Sequence, residues 1–165
     1  MNDLSIRDAA SAEVGPLAKI WYDGWQDAHA RILPEELARL RTMKSFEERL
    51  ERCLASMRVA GPAGTPLGFC VIRGDELYQL YVSSKARGSG LAAALLVDAE
   101  TRLRDSGVRV AWLGCAIGNE RAARFYEKCG WRRSGVVTEQ LEVPNGTYPL
   151  EVWRYEKLLA KSARD

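Results

Sequence analysis

The residues best suited to chemistry cluster around Arg87-Gly88-Ser89-Gly90-Leu91-Ala92. Two residues without a Cβ fall there between an alternating run, in which Leu77, Gln79, Tyr81 and Ser83 interleave with Tyr78, Leu80 and Val82, and a run with Ala92, Leu95, Leu96, Ala99 and Leu103 at helical spacing. A helix N-terminus carries unpaired N–H groups and the positive end of the macrodipole, so a strand, glycine turn and helix in this order suit a pyrophosphate. Lys85 and Arg87 flank the turn and can add charge-assisted contacts, or serve only as solubilising charge.

Two other uses of the glycines compete: a plain tight connection, or the dinucleotide pattern G-x-G-x-x-A, which Gly88 to Ala93 fits. Against the second, the gap from Val82 to Gly88 is long, and no acidic residue ends the next apolar run, Val108 to Ala116. The GxxxxGK[ST] spacing of nucleotide hydrolases is absent.

A second block follows, Asn119-Glu120-Arg121-Ala122-Ala123-Arg124-Phe125-Tyr126-Glu127-Lys128-Cys129-Gly130-Trp131. Together the blocks resemble the GNAT superfamily of N-acetyltransferases. The first fits its acyl-coenzyme A signature at every specified position, and the second is similar to its later Asn-x-x-Ala-x-x-Phe-Tyr-x-x-x-Gly-Phe motif, with Trp131 for the final Phe.

That resemblance implies a mixed α/β sheet of about six to seven strands with about four helices and a parallel central pair. It implies acetyl-CoA as co-substrate, held by Leu80, Tyr81, Val82, Arg87, Gly88, Ser89, Gly90, Leu91, Ala92, Asn119 and Tyr126, with main-chain N–H groups at Tyr81 or Val82 polarising the thioester. It makes Tyr126 the acid that protonates the departing thiolate, against simple packing, and Glu76 the base acting through water, against a solvated turn carboxylate beside Asp75. The region between the first two strands would border the acceptor pocket, which points to Trp21, Tyr22, Trp25, Gln26 and His29. An aromatic stripe on an amphipathic helix also describes a core. A non-catalytic acyl-CoA sensor of the same fold is the alternative function.

The elements that must position these groups are legible as patterns. A first strand from Leu4 to Arg7 precedes a helix capped at Ser11 with Val14, Leu17, Ala18, Trp21 and Trp25 on one face. Another helix starts at Pro34, and a further helical run carries Phe46, Leu50, Cys53, Leu54 and Met57. Arg58 to Gly61 and Leu67 to Arg73 read as strands around the turn Pro62 to Pro66, and Gly74-Asp75 turns into the central strand. Gly107 and Gly130 are placed to close helices. Trp131 to about Gln140 and Tyr148 to Tyr155 read as final strands around Pro144-Asn145-Gly146, before a frayed KSARD.

The 165 residues make one domain, 1–165. A net charge of +2 is far from the basic excess that nucleic acid requires. Four cysteines without C-x-x-C spacing and one histidine point to no metal, and the apolar runs fall short of a membrane span. The expected setting is cytoplasmic, with a small-molecule or protein amine as partner and a homodimer left open as the family's common state.

Overall fold

A computed structural model describes residues 5–160. Its elements run β1 (Ile6–Asp8), α1 (Val14–His29), α2 (Glu35–Leu40), α3 (Met43–Cys53), β2 (Met57–Ala60), β3 (Gly68–Arg73), β4 (Glu76–Val82), α4 (Leu91–Asp105), β5 (Val110–Ala116), α5 (Glu120–Lys128), β6 (Arg132–Val143) and β7 (Gly146–Leu158). Leu4 and KSARD lie outside the described residues. The strands form one mixed sheet in the order β1-β2-β3-β4-β5-β7-β6. Among the described strands only β4 and β5 run parallel, and with five α-helices this is the α/β fold expected.

Each helix is set by an apolar stripe. On α1, Leu17, Ala18, Trp21 and Trp25 are buried against Phe46, Leu50, Phe69 and Val71. On α4, Leu91, Leu95, Leu96, Ala99 and Leu103 are buried against Cys70, Leu77, Leu113 and Tyr155, in a second cluster. Each leucine so buried contributes about 1.5–3 kcal/mol. Gly107, at a φ of +96°, ends α4 and lets its N–H return to Arg104 O at 3.0 Å.

Three expectations need correction. Met57 opens β2 instead of extending α3: it is 1% exposed and points into the same cluster as Phe46 and Leu50, so a strand residue continues the helix's apolar count. Ser11 is no helix cap. It starts a 3-10 turn at whose entry Ala10 N–H donates to the Glu13 carboxylate at 3.0 Å.

The third correction concerns β4. Leu77 pairs with Ile72 and Gln79 with Val71, which leaves Tyr78 as the extra residue of a bulge. The alternation therefore slips by one: Leu77 joins Leu80 and Val82 in the α4 cluster, while Tyr78 and Tyr81 join the α1 cluster. Glu76, Tyr78, Gln79 and Tyr81 consequently line one cavity together.

The last two strands run longer than their patterns suggest, pairing from Arg132↔Glu156 to Val143↔Gly146. Pairing of β7 with β5 stops at Val152, so the hairpin tip projects past β5. Its Leu141, Val143, Tyr148 and Leu150 pack on the α1 cluster, and Glu142 forms an ion pair with Arg52 of α3.

Candidate active site

The site forms where β4 and β5 separate. Their ladder holds a single pair, Glu76↔Trp112, with Trp112 N–H donating to Asp75 O at 3.2 Å. Beyond it the strands diverge and leave two adjoining cavities, of about 430 Å³ and 910 Å³. His29, Tyr78, Gln79, Tyr81, Gly114 and Ala116 belong to the walls of both.

The smaller cavity collects Leu80, Tyr81, Val82, Arg87, Ala92, Asn119 and Tyr126. At its mouth lies the glycine turn, with Gly88 and Gly90 at φ of +77° and +84°. A Cβ at either would meet nothing within 4 Å, so backbone conformation alone demands glycine there. Among the described residues, the N–H groups of Gly88, Gly90, Ala92 and Ala93 have no partner, which leaves a set of free donors at the start of α4. Ser89 is turned inward, its hydroxyl donating to Ala86 O at 2.5 Å, and the Leu91 side chain is core.

Arg87 and Arg121 both donate to Asp27 Oδ2, at 2.5 and 3.0 Å, which ties α1 to the turn and to α5. These two guanidiniums hold the Asp27 carboxyl below its ordinary pKa. Asn119 caps α5 by accepting from Ala122 N–H at 3.3 Å. Tyr126, two turns into α5, stands 5.3 Å from Phe125 and 6.1 Å from Trp131, ring to ring. Burial raises its phenol well above 10, so it keeps its proton at neutral pH. Cys115, in the same wall, is pushed up to about 11 by burial and likewise stays a thiol.

The larger cavity contains Glu76, and the fold brings Glu139 of β6 to it. Glu139 fits because residue 114 is glycine: a Cβ there would lie 2.6 Å from Glu139 Oε2. Burial, and then the facing Glu139 charge, push Glu76 up to about 7. Burial raises Glu139 as well, and the two carboxyls share a hydrogen bond. With their charges facing each other, they titrate as a coupled pair.

Of the aromatic candidates, Trp21, Trp25 and His29 reach the larger cavity, although Trp21 and Trp25 are mostly core. Tyr22 lines neither cavity and packs edge-on against Phe46 at 6.1 Å; Gln26 lines neither. His29 is lowered to about 4 by burial and by Arg41, so it is neutral at pH 7 and a weak base. The structure adds Glu139, Tyr78, Arg41 and Arg49, none of which the motifs reach.

The residues matched by the acetyltransferase (GNAT) family, 17–131, carry both the glycine turn and Tyr126, and the chain belongs to that family. It is 33% identical over 150 residues to an uncharacterized N-acetyltransferase of Mycobacterium tuberculosis, covering 86% of this chain and 90% of that one. Its fold is similar to that of a GCN5-related N-acetyltransferase from Rhodopseudomonas palustris, with a TM-score of 0.75 at 20% identity over 96% of this chain and 97% of that one. It is also similar to the PaiA N-acetyltransferase of Thermoplasma acidophilum in complex with coenzyme A, with a TM-score of 0.67 at 19% identity over 93% and 98% of the two chains. Acetyl transfer is thus its general reaction class. No described helix is long and apolar enough to cross a membrane.

Proposed function

We propose that the protein transfers an acetyl group from acetyl-CoA to a primary amine by direct attack in a ternary complex. One observation carries this reading: the parting of β4 and β5 joins a cavity with free N–H groups and a protonated phenol to one with a carboxyl poised near neutral pH. A volume of about 430 Å³ suits the pantetheine arm and acyl end, with the diphosphate outside on the N–H groups of Gly88, Gly90, Ala92 and Ala93. Arg87 and Arg121 would exchange Asp27 for phosphate or bridge to both.

An alkylamine with a pKa near 10.4 is about one part in a thousand free base at pH 7, so it must lose a proton before attack. Glu76, with Glu139 beside it, takes that proton through water. The amine nitrogen then bonds to the thioester carbon, and the main-chain N–H of Val82 receives the oxyanion, because the register that sets Ser83 N–H on Leu67 O turns Tyr81 N–H toward Phe69 of β3. As the C–S bond breaks, Tyr126 gives its proton to the sulfur, and the second proton that the acylated nitrogen sheds restores the phenol through water.

The test is amine-dependent thiol release from acetyl-CoA, combined with calorimetry of acetyl-CoA binding. Tyr126→Phe should bind acetyl-CoA normally and lose about 10–100-fold in kcat. Gly90→Asp should abolish binding through its φ of +84° and its charge. Undiminished binding by Gly90→Asp, or none by the unaltered protein, would overturn the proposal.

A further inference from the structure

Among the described residues, no carboxylate comes within ion-pair distance of two arginines that line the larger cavity. Arg41, just after α2, is 3% exposed, and Arg49 of α3 is 7% exposed, and both line the wall. Arg41 donates to the main-chain Glu142 O at 2.5 Å, and Arg49 donates to Tyr78 Oη at 3.0 Å. The Arg49 guanidinium lies 4.4 Å above the Trp21 ring. The Nε atoms of both arginines are buried without a hydrogen-bond partner. Among the described residues, neither forms an ion pair: Glu142 is taken by Arg52, and Glu76 faces Glu139.

Like-charge proximity compounds the problem. Burial, and then the neighbouring Arg49 charge, push Arg41 down to about 10, still well above neutral pH. Two buried cations without an anion are costly unless a ligand supplies one. Glu76 and Glu139, which line the same cavity, suit an ammonium or amine.

Resting on the reading above, we infer that the acceptor is an amine that also carries an oxyanion, a carboxylate or phosphate, which docks on Arg41 and Arg49. The guanidinium edges supply fork-shaped donors, and Trp21 supports the face of Arg49. The amine end then lies toward Glu76, with Tyr78 between the two ends as the hydroxyl already held by Arg49.

The test uses matched amines of several chain lengths, each bearing a carboxylate, a phosphate or a neutral carboxamide, at saturating acetyl-CoA. The anionic members should exceed the carboxamide by at least about 10-fold in kcat/KM. In Arg41→Gln and Arg49→Gln that ratio should fall toward one, and Arg49→Lys, which keeps the charge, should recover part of it. The carboxylate and phosphate arms identify which oxyanion the site takes. In parallel, glutarate and inorganic phosphate should raise the thermal midpoint of the unaltered protein but not of an Arg41→Gln/Arg49→Gln double variant. Equal rates on carboxamide and anionic amines sink the inference while leaving acetyl transfer intact. So does an identical response of the midpoint in the two proteins if no amine turns over, whereas failure to bind acetyl-CoA strikes the reaction itself.

Discussion

Two glutamates, Glu13 before α1 and the half-buried Glu76 at the start of β4, show how surroundings set what a carboxyl can do. Glu13 accepts four hydrogen bonds: Arg7 Nη1 at 2.8 Å and Nη2 at 2.7 Å, Ala10 N–H at 3.0 Å and Gly64 N–H at 3.1 Å. These bonds, led by Arg7, hold it down at about 2. Glu76 is instead pushed to about 7 by burial and by a second carboxyl, and it faces open space. Both are withdrawn from solvent, Glu13 fully and Glu76 in part; the donors around each decide whether the carboxyl is locked as an anion or poised to exchange a proton.

The contrast can be broken from either side. The largest expected effect is on Glu76→Gln, which should lose about 100-fold in kcat/KM with its thermal midpoint at pH 8 unchanged or raised. Glu13→Gln should do the reverse: activity per folded molecule stays, while unfolding free energy falls by about 2–4 kcal/mol, read by urea titration. The pH dependence sharpens this. Glu13, depressed in the fold, stabilises above about 4.5, and that contribution disappears as pH falls toward about 2. Glu76, raised in the fold, favours the folded state most below about 4.5, and that contribution is lost as pH climbs to about 7, so Glu76→Gln should flatten this upper decline.

Smaller shifts are expected from the neighbours. kcat/KM should rise with pH through an inflection near 7, and Glu139→Gln should move that inflection down toward the ordinary glutamate value. Gly114→Ala, whose Cβ would sit 2.6 Å from Glu139 Oε2, should displace that carboxyl and move the inflection in the same direction by less.

What the sequence revealed of the site was contiguous in the chain. The turn from Arg87 to Ala92 and the cap and phenol of α5 lie within short windows, where local backbone physics fixes their relation. Strand lengths and turn residues gave the antiparallel run from β2 to β4, but not the placement of β7 between β5 and β6. The faces of β4 were not legible, because the Tyr78 bulge depends on how β3 pairs, and no single-strand pattern carries that. Glu139, Arg41 and Arg49 come from the hairpin and from α2 and α3, so only tertiary packing brings them to Glu76. Trp21 shows the converse: its helical spacing was plain, but core and cavity wall turn out to be the same indole.

The two cavities adjoin along a common wall that includes Gln79, Tyr81 and Gly114. If both substrates meet at that wall, double-reciprocal rate plots should intersect rather than run parallel.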